Sequence, residues 1–293
     1  MRLFGRVIKV MITNDKTGKQ FMIDSLDNLR IAISATKDND SKPNTATLKL
    51  YNLNKDTRSA LSANGLSVAV SVGYLDGYNV IFNGNIVHYT LKRENLDSIF
   101  EITVGDGHND YVNSFMAKSF KASSTHNDVI NEAQRTMTNT KQGKVTQSVK
   151  AQNVRGRTVF APTRKVLDDM SKYHNLNWSI QDGSLMVISN MEALTNHVVI
   201  VDDSLLIDPI EEQIDDKLVN YLIHTRVNPF YRVNGIVKID NSKIQRSYRE
   251  DDGKKKQHKI STNKDGQYKI IKIQYDCDTH SDSFDCKVNV INI

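Results

Sequence analysis

The sequence is poor in cysteine, the residue that forms covalent cross-links and many zinc sites. Its 293 residues include two cysteines, Cys277 and Cys286, and no CxxC pair. The usual cysteine spacing of a zinc site is therefore missing. The two cysteines flank a predicted turn, so a cross-strand disulfide and a reduced pair of small apolar side chains are both open. The lack of a secretion signal favours the reduced pair.

Long apolar runs are also missing. A membrane-spanning helix needs roughly twenty consecutive apolar residues, and no such run occurs. The opening segment, residues 1–15, has neither the apolar stretch nor the small-residue cleavage site of a signal peptide, and it alternates like a first strand. We therefore expect no stable membrane insertion.

Charge is abundant but mixed in sign. The net charge is +5, and 25% of the residues are charged. The densest basic run, residues 254–259, follows the acidic residues 250–252 after a single glycine, Gly253. This pattern favours a solvated loop with compensating charges. A nucleic-acid-binding module that uses the basic residues of 254–259 stays open as an alternative.

What the sequence does contain is alternation of apolar and small polar residues. The clearest case is LSVAVSV at 66–72, where every second residue is apolar. Such alternation predicts strands with one buried face and favours a β-barrel. Up to residue 107 it predicts strands over 7–12, 20–23, 29–35, 45–50, 66–72, 80–91 and 96–104. Gly84, inside the longest of these, predicts a bend or bulge where the sheet curls into a barrel.

One short helix, 55–63, is predicted among these strands. Asn54 suits its N-cap, Asp56 lies in its first turn, and Gly65 follows its end. A helix of this length needs packing against the strands to be stable.

The middle of the chain changes character and predicts a small α/β domain. Thr125 opens a capping box with Asp128, and the apolar residues that follow have helical spacing. After a polar loop through Gly143 and an extended segment at 156–160, a second helix is predicted from Pro162. Its apolar face is expected to carry Val166, Met170 and Tyr173, and Asn175 is expected to be its left-handed cap. Asp182-Gly183 between apolar runs predicts a hairpin over 177–188.

The last part of the chain returns to strands, predicted over 218–225, 233–239, 268–275 and 284–291. The long polar segment 241–265 between them predicts an extended hairpin or flexible arm. The fold class is therefore mainly β with an α/β insert. We expect a first β domain at 1–111, an α/β domain with two helices and a hairpin at 112–203, and a second β domain at 204–293.

Some polar clusters contain ingredients of catalysis but lack the rest of a motif. Asp106 and His108 stand two apart after a strand, so an acid–imidazole pair is open, but no nucleophile motif accompanies them. Asp276, Cys277 and His280 hold the groups of a thiol nucleophile without the flanking motif of a cysteine peptidase. Residues 105–108 are glycine-rich but lack GxGxxG spacing and give no nucleotide site.

Other single residues have simple structural interpretations. His174 is expected to be a dipole partner at a helix C-terminus, and Trp178 a core anchor of the small domain. The acidic pairs Asp202–Asp203 and Asp215–Asp216 lack a spaced oxygen-ligand loop and predict solvated turns. The sequence thus predicts no catalytic residue, no cofactor-binding residue and no metal ligand.

Several strings, in this order, resemble those of bacteriophage tail baseplate hub proteins of the late control protein D type. They are Pro43-Asn44 leading to Tyr51–Asn54, the turn at 72–74, residues 81–86 and 105–107, Asn228-Pro229 with 233–237, and residues 266–273 with 278–280. The N-terminal half of type VI secretion spike proteins is similar too. The charged segment 241–265 departs from the pattern.

This resemblance implies a fold of two small split β-barrels of the Tudor/SH3 type around the α/β domain. It implies a homotrimeric ring that closes the tail tube, adapts the sixfold tube to a threefold spike, and lets DNA pass as cargo. The implied partners are the tail tube protein, the central spike protein, and also tape-measure and baseplate wedge proteins. The implied location is the virion tail baseplate, after assembly in the host cytoplasm. A tail-associated peptidoglycan-degrading enzyme is the alternative from another class.

Overall fold

A computed structural model of the protein describes residues 5–146, 151–190, 192–215, 218–245, 250–251, 254–255 and 265–293. Its α-helices are α1 (Lys55–Leu61), α2 (His108–Asn113), α3 (His126–Thr136) and α4 (Thr163–His174). Its strands up to the first helical insert are β1 (Arg6–Asn14), β2 (Gln20–Asp24), β3 (Ile31–Asp38), β4 (Thr45–Tyr51), β5 (Leu66–Tyr74), β6 (Gly77–Glu94) and β7 (Asp97–Gly105).

The middle of the chain adds β8 (Phe115–Phe120), β9 (Lys141–Val145), β10 (Arg157–Pro162), β11 (Leu176–Gln181) and β12 (Ser184–Ser189). The remaining strands are β13 (Leu194–Ile200), β14 (Ile210–Asp215), β15 (Leu218–Arg226), β16 (Gly235–Lys238), β17 (Ile244–Gln245), β18 (Glu250–Asp251), β19 (Lys254–Lys255), β20 (Gln267–Asp278) and β21 (Phe284–Asn292). None of the helices in the described ranges has the length and apolarity needed to cross a membrane.

Strands from the two ends of the chain form one hydrogen-bonded sheet. Its path is β17-β14-β15-β21-β20-β3-β4-β7-β6-β5-β1-β2, and β16 joins β13 to β20. The seam is the antiparallel pair β3–β20, which runs from Lys272 opposite Asp38 to Asp278 opposite Ala32. A single apolar cluster draws on both the early and the late strands. The mainly β fold class is therefore confirmed, while the two-barrel division and its boundaries stay a prediction.

Alternation determines which side chains enter this core. In β5, Val68, Val70 and Val72 are buried, whereas Ser67 and Ser71 face outward. The predicted cap of α1 is confirmed, since Asn54 Oδ1 accepts from Thr57 N at 2.8 Å. Helix α1 ends at Leu61, two residues before the predicted end.

The long strand β6 changes partner along its length. Its first half pairs with β5 and its second half with β7, and the register shifts near Ile81 and at Val87. The predicted irregularity of this strand is therefore present, but not at Gly84 itself, which pairs regularly with Val68 between the two shifts. A β-carbon at Gly84 would lie 2.5 Å from the carbonyl oxygen of Gly105, so the backbones of β6 and β7 meet here more closely than a side chain allows.

The α/β insert has its own apolar cluster, which α3, α4 and the β11–β12 hairpin share. The capping box of Thr125 and Asp128, the left-handed Asn175 and the hairpin at Asp182-Gly183 are confirmed. Trp178 is buried in this cluster as predicted, and its Nε1 donates to Asp168 at 2.8 Å.

Two predictions for the insert were wrong. The polar loop through Gly143 contains β9, which pairs in parallel with β12 although its sequence KQGKV shows no alternation. Tyr173 does not share the buried face of Val166 and Met170, because the buried residues of α4 end at Ser171 and the last residues before its end at His174 lie outside the core. The side chain is 71% exposed and packs edge-on against His126.

The charged segment 241–265 is described only in part. Strand β17 pairs with β14, and Glu250 lies opposite Lys255 in the short β18–β19 ladder. The side chains of the basic run 254–259 lie outside the described residues, so its DNA-binding alternative is not addressed by the structure.

Candidate functional site

The most constrained polar site is the junction between the main sheet and the α/β insert, centred on Asp106. This residue follows β7 and is almost fully buried. Its Oδ2 accepts from Asp182 N at 2.6 Å and its Oδ1 from Gly183 N at 2.8 Å. Asp182 and Gly183 form the tight turn of the β11–β12 hairpin, with φ of 52° and 73°. The Asp106 carboxyl group therefore holds this turn against the main sheet.

Two buried lysines hold the two ends of β12. Lys37 of β3, only 1% exposed, donates from Nζ to the Ile81 carbonyl at 3.2 Å and to Asp182 Oδ1 at 2.6 Å, just before β12 begins. Lys269 of β20 donates from Nζ to the carbonyls of Ser189 and Asn190, at 3.2 and 3.1 Å, where β12 ends. Lys37 belongs to the early strands and Lys269 to the late strands. Strand β12 of the insert is therefore hydrogen-bonded to both parts of the main sheet.

An amide pair completes the junction. Asn44 Nδ2 donates to the Ile180 carbonyl and to Gln181 Oε1, both at 3.0 Å. Gln181 Nε2 in turn donates to the Asp38 carbonyl at 2.5 Å. Since buried polar groups are costly unless hydrogen-bonded, this set fixes one orientation of the insert on the sheet.

Burial shifts the pKa values of two residues of this junction, Asp106 and Lys269. It raises the pKa of Asp106 to about 7, against the opposing effect of the nearby Lys37 ammonium group. It lowers the pKa of Lys269 to about 8, against the opposing effect of Glu192. Both shifts disfavour the charged form, as expected for groups that leave water.

The shift of Asp106 predicts a pH dependence of stability. The folded-state pKa of about 7 lies above the ordinary value of 3.8, so folded protein binds this proton more tightly than the unfolded chain does. Stability should therefore fall as pH rises from about 4 to 7, by about 2 kcal/mol between pH 5.5 and 7. Urea unfolding of the wild type and Asp106→Asn across this range measures it. The free energy of unfolding of the wild type, relative to that of Asp106→Asn, should decrease as the pH rises. If the two free energies changed with pH in parallel, the prediction would be wrong.

The candidate catalytic groups are not assembled for chemistry. The Asp106 carboxyl group is occupied by the hairpin turn, and His108 begins α2. Cys277 points into the core, where burial raises the pKa of its thiol well above the usual value, while its neighbour Asp276 faces outward. The His280 ring bonds Thr279 instead. Cys277 and Cys286 are both buried free thiols, which agrees with the reduced pair.

The remaining sequence candidates have local partners. His174 Nε2 lies 2.8 Å from His126 Nδ1, and burial together with His126 lowers the pKa of His174. Asp202 caps Ser204 N, and Asp203 pairs with Lys243 at 2.9 Å. The side chains of Asp215 and Asp216 lie outside the described residues. Among the residues that the structure describes, no group of three or more His, Cys, Asp or Glu side chains could hold a metal ion.

Exposed apolar side chains on strands are the features that sequence reasoning missed. On the second half of β6 they are Val87, Tyr89 and Leu91, and on β13 they are Val198 and Ile200. Both segments lie at edges of the main sheet. The signal that could have found the first was length. The strand predicted at 80–91 is longer than each of its predicted neighbours at 66–72 and 96–104, so neither neighbour can cover one of its edges along the full length.

No protein family profile matches the sequence, and no curated protein matches it. Solved structures do match its fold. The 43 kDa tail protein of prophage MuSo2 from Shewanella oneidensis is similar with a TM-score of 0.62 at 10% identity, over 97% of this chain and 96% of that one. A tail protein from Neisseria meningitidis MC58 gives 0.60 at 10% identity, over 99% and 97%.

A third similar structure is a type VI secretion component of Escherichia coli, itself described as structurally similar to the bacteriophage T4 tail proteins gp27 and gp5. It gives a TM-score of 0.59 at 5% identity, over 90% of this chain and 73% of that one. The likeness extends over nearly the whole of this chain and is a likeness of fold. The resemblance to tail baseplate hub proteins predicted from the sequence is confirmed at that level.

Proposed function

We propose that the chain is a structural protein of a phage tail, and that three copies form the baseplate hub between the tail tube and the central spike. The observation that carries this proposal is the shared fold with two phage tail proteins along nearly the full length of both partners. The hub would work by binding: it would seal the tube end, seat the spike, and leave an axial passage for DNA.

The architecture suits a part that bears force between two rigid assemblies. Early and late strands meet in one ladder, and the buried contacts of Lys37, Lys269 and Asp106 fix the insert on that sheet. A threefold ring can present six similar docking surfaces only if each chain carries two of them, which the proposed pair of barrels would supply. The proposed partners are the tail tube, spike, tape-measure and baseplate wedge proteins, within the virion.

Trimer formation is the first expected result. The purified protein at micromolar concentration should sediment with three times its chain mass of 33.2 kDa, because an obligate ring interface typically buries on the order of 2,000 Å² or more. Addition of tube or spike protein should shift it to larger species. A stable monomer that joins neither would overturn the hub proposal.

The same preparation separates the alternative functions. Clearing of a peptidoglycan gel that disappears in His108→Ala, with the fold intact, would indicate a wall-degrading enzyme. Salt-sensitive retention on DNA that disappears when the lysines of 254–259 become glutamine would indicate a nucleic-acid-binding module. The hub proposal expects neither result.

A further inference from the structure

We propose that the ring is closed by strand addition: β13 of one copy lies parallel to the second half of β6 in the next copy. The inference rests on the proposed trimer and names its contact surfaces. In this arrangement, the strand that pairs with the β6 edge belongs to a second copy of this chain.

The second half of β6 is a free edge among the described residues. Pairing with β5 stops at Asn85 opposite Ser67, and from there to Glu94 the strand pairs only with β7. On the side that β5 has left, a groove of about 410 Å³ lies between residues 63–66 and residues 86–89. Unpaired main-chain groups beside an open groove are the usual acceptor for an added strand.

On the face of β6 that continues the core, the side chains at this edge are apolar, and a basic residue follows them near the end of the strand. Tyr89 lies opposite Ile102 and stacks on Phe100 with 5.3 Å between ring centroids, and Leu91 lies opposite Phe100. Tyr89 and Leu91 lie on the same face of the sheet as the buried residues of β7. They are nevertheless 41% and 56% exposed, because no strand in the described ranges lies beside this half of β6 on its other edge. Two residues on, Arg93 is exposed and has no charged partner among the described residues.

Strand β13 has the complementary pattern. It pairs in parallel with β16, and its other edge meets no strand of the described chain. Val199 and Val201 pack on the core, so Val198 and Ile200 face the other way and are 50% and 73% exposed. Asp202 follows at the same spacing and is also exposed.

The order of these residues selects the register and the direction. Tyr89, Leu91 and Arg93 read apolar, apolar, cation along one face of β6, while Val198, Ile200 and Asp202 read apolar, apolar, anion. Parallel addition places Tyr89 beside Val198, Leu91 beside Ile200, and Arg93 beside Asp202. Antiparallel addition over the same residues would set Arg93 beside Val198 and leave Asp202 beside Tyr89, without its ionic partner.

The two edges are different surfaces of the same chain, so the contact is head-to-tail. A head-to-tail contact repeats around an axis and closes into a ring when the rotation allows it, whereas a twofold contact ends at a dimer. The inferred pairing is therefore the type of contact that a threefold ring requires.

A charge exchange tests the contact. Arg93→Asp should raise the concentration of half-dissociation of the trimer at least tenfold, and the added change Asp202→Arg should restore most of that loss. Lys19→Asp, the same charge change in the exposed β1–β2 turn, is the matched control and should leave assembly unchanged. Thermal unfolding of each variant shows that it is folded. A trimer that withstands Arg93→Asp, or a loss that Asp202→Arg does not restore, would overturn the pairing.

Disulfide trapping gives an independent readout, since the native thiols are buried. Oxidation should link Leu91→Cys to Ile200→Cys in a mixture of the two single variants, and should leave each variant unlinked when alone. Leu91→Cys mixed with Val154→Cys, an exposed position in the insert, is the control without a link. Links in Leu91→Cys alone would overturn the head-to-tail contact. If the wild type is trimeric and these links are absent, the β6–β13 pairing is wrong but the hub proposal is unaffected. If the wild type is monomeric, both proposals are wrong.

Discussion

Gly84→Ala is expected to destabilise the fold by about 3 kcal/mol, the upper end of the usual cost of overpacking a core. The added β-carbon would lie 2.5 Å from the Gly105 carbonyl oxygen and 3.0 Å from Asp106 N, so it would meet main chain that no side-chain rotation can move away. The displaced segment leads directly into Asp106, so the anchor of the hairpin turn would shift with it. The midpoint of urea unfolding measures the effect.

Gly156→Ala is the matched control for this change. The nearest atom to its new β-carbon is the Phe120 carbonyl oxygen at 3.6 Å, an ordinary contact. We expect a change within about 0.5 kcal/mol, as for most substitutions away from special sites. Equal unfolding midpoints for the two alanine variants would show that β6 and β7 can separate at little cost, and would contradict a tight backbone contact at Gly84.

Lys37→Ala is the second large effect, expected to cost about 3 kcal/mol because it removes one partner of a buried ion pair and leaves the other without compensation. Asp182 is about one-third exposed, which keeps the estimate at the lower end of the range for buried pairs. The Ile81 carbonyl also loses its donor. Chemical denaturation measures the loss, and amide exchange at Asp182 and Gly183 should accelerate in the variant because the turn is held less firmly.

Lys92→Ala provides the comparison for an exposed pair. Lys92 Nζ lies 3.0 Å from Glu101 Oε1 with about half of its side chain accessible, so water replaces the interaction and a loss below about 1 kcal/mol is expected. If the two alanine variants were equally stable, Lys37 would contribute no more than a surface lysine, and the junction would have to be held by the amide pair and Asp106 alone.

Features with a local cause were the ones that sequence could predict. Alternation located β5 and β21, the cap at Asn54 located α1, and Asp182-Gly183 located the hairpin, because each depends on residues within a few positions. Strand β9 could not be predicted in this way. It is short and polar, it shows no alternation of apolar and polar residues, and it forms only because β12 pairs with it in parallel.

The junction could not be predicted because burial of a charged residue depends on distant contacts. Nothing beside Lys37 or Lys269 in the sequence distinguishes them from the chain's solvated lysines; their burial follows from the position of β12 between two sets of strands. In the sequence, Asp106 stands out only for its neighbour His108, yet its partners are two main-chain amides of a hairpin, 76 and 77 residues later. The edge residues of β6 and β13 likewise show their exposure only once the neighbours of each strand are known.

The seam between β3 and β20 has a consequence for biosynthesis. A ribosome adds about 5 to 20 residues per second, and β3 emerges long before the strand that completes its ladder. The insert, whose core is assembled from nearby segments, can condense early, while β3 keeps an open edge until β20, residues 267–278, has been synthesised. Because such distant pairing slows folding and exposes aggregation-prone strands, yield should depend on chaperones and on low temperature during expression more than for a chain of this size built from local contacts.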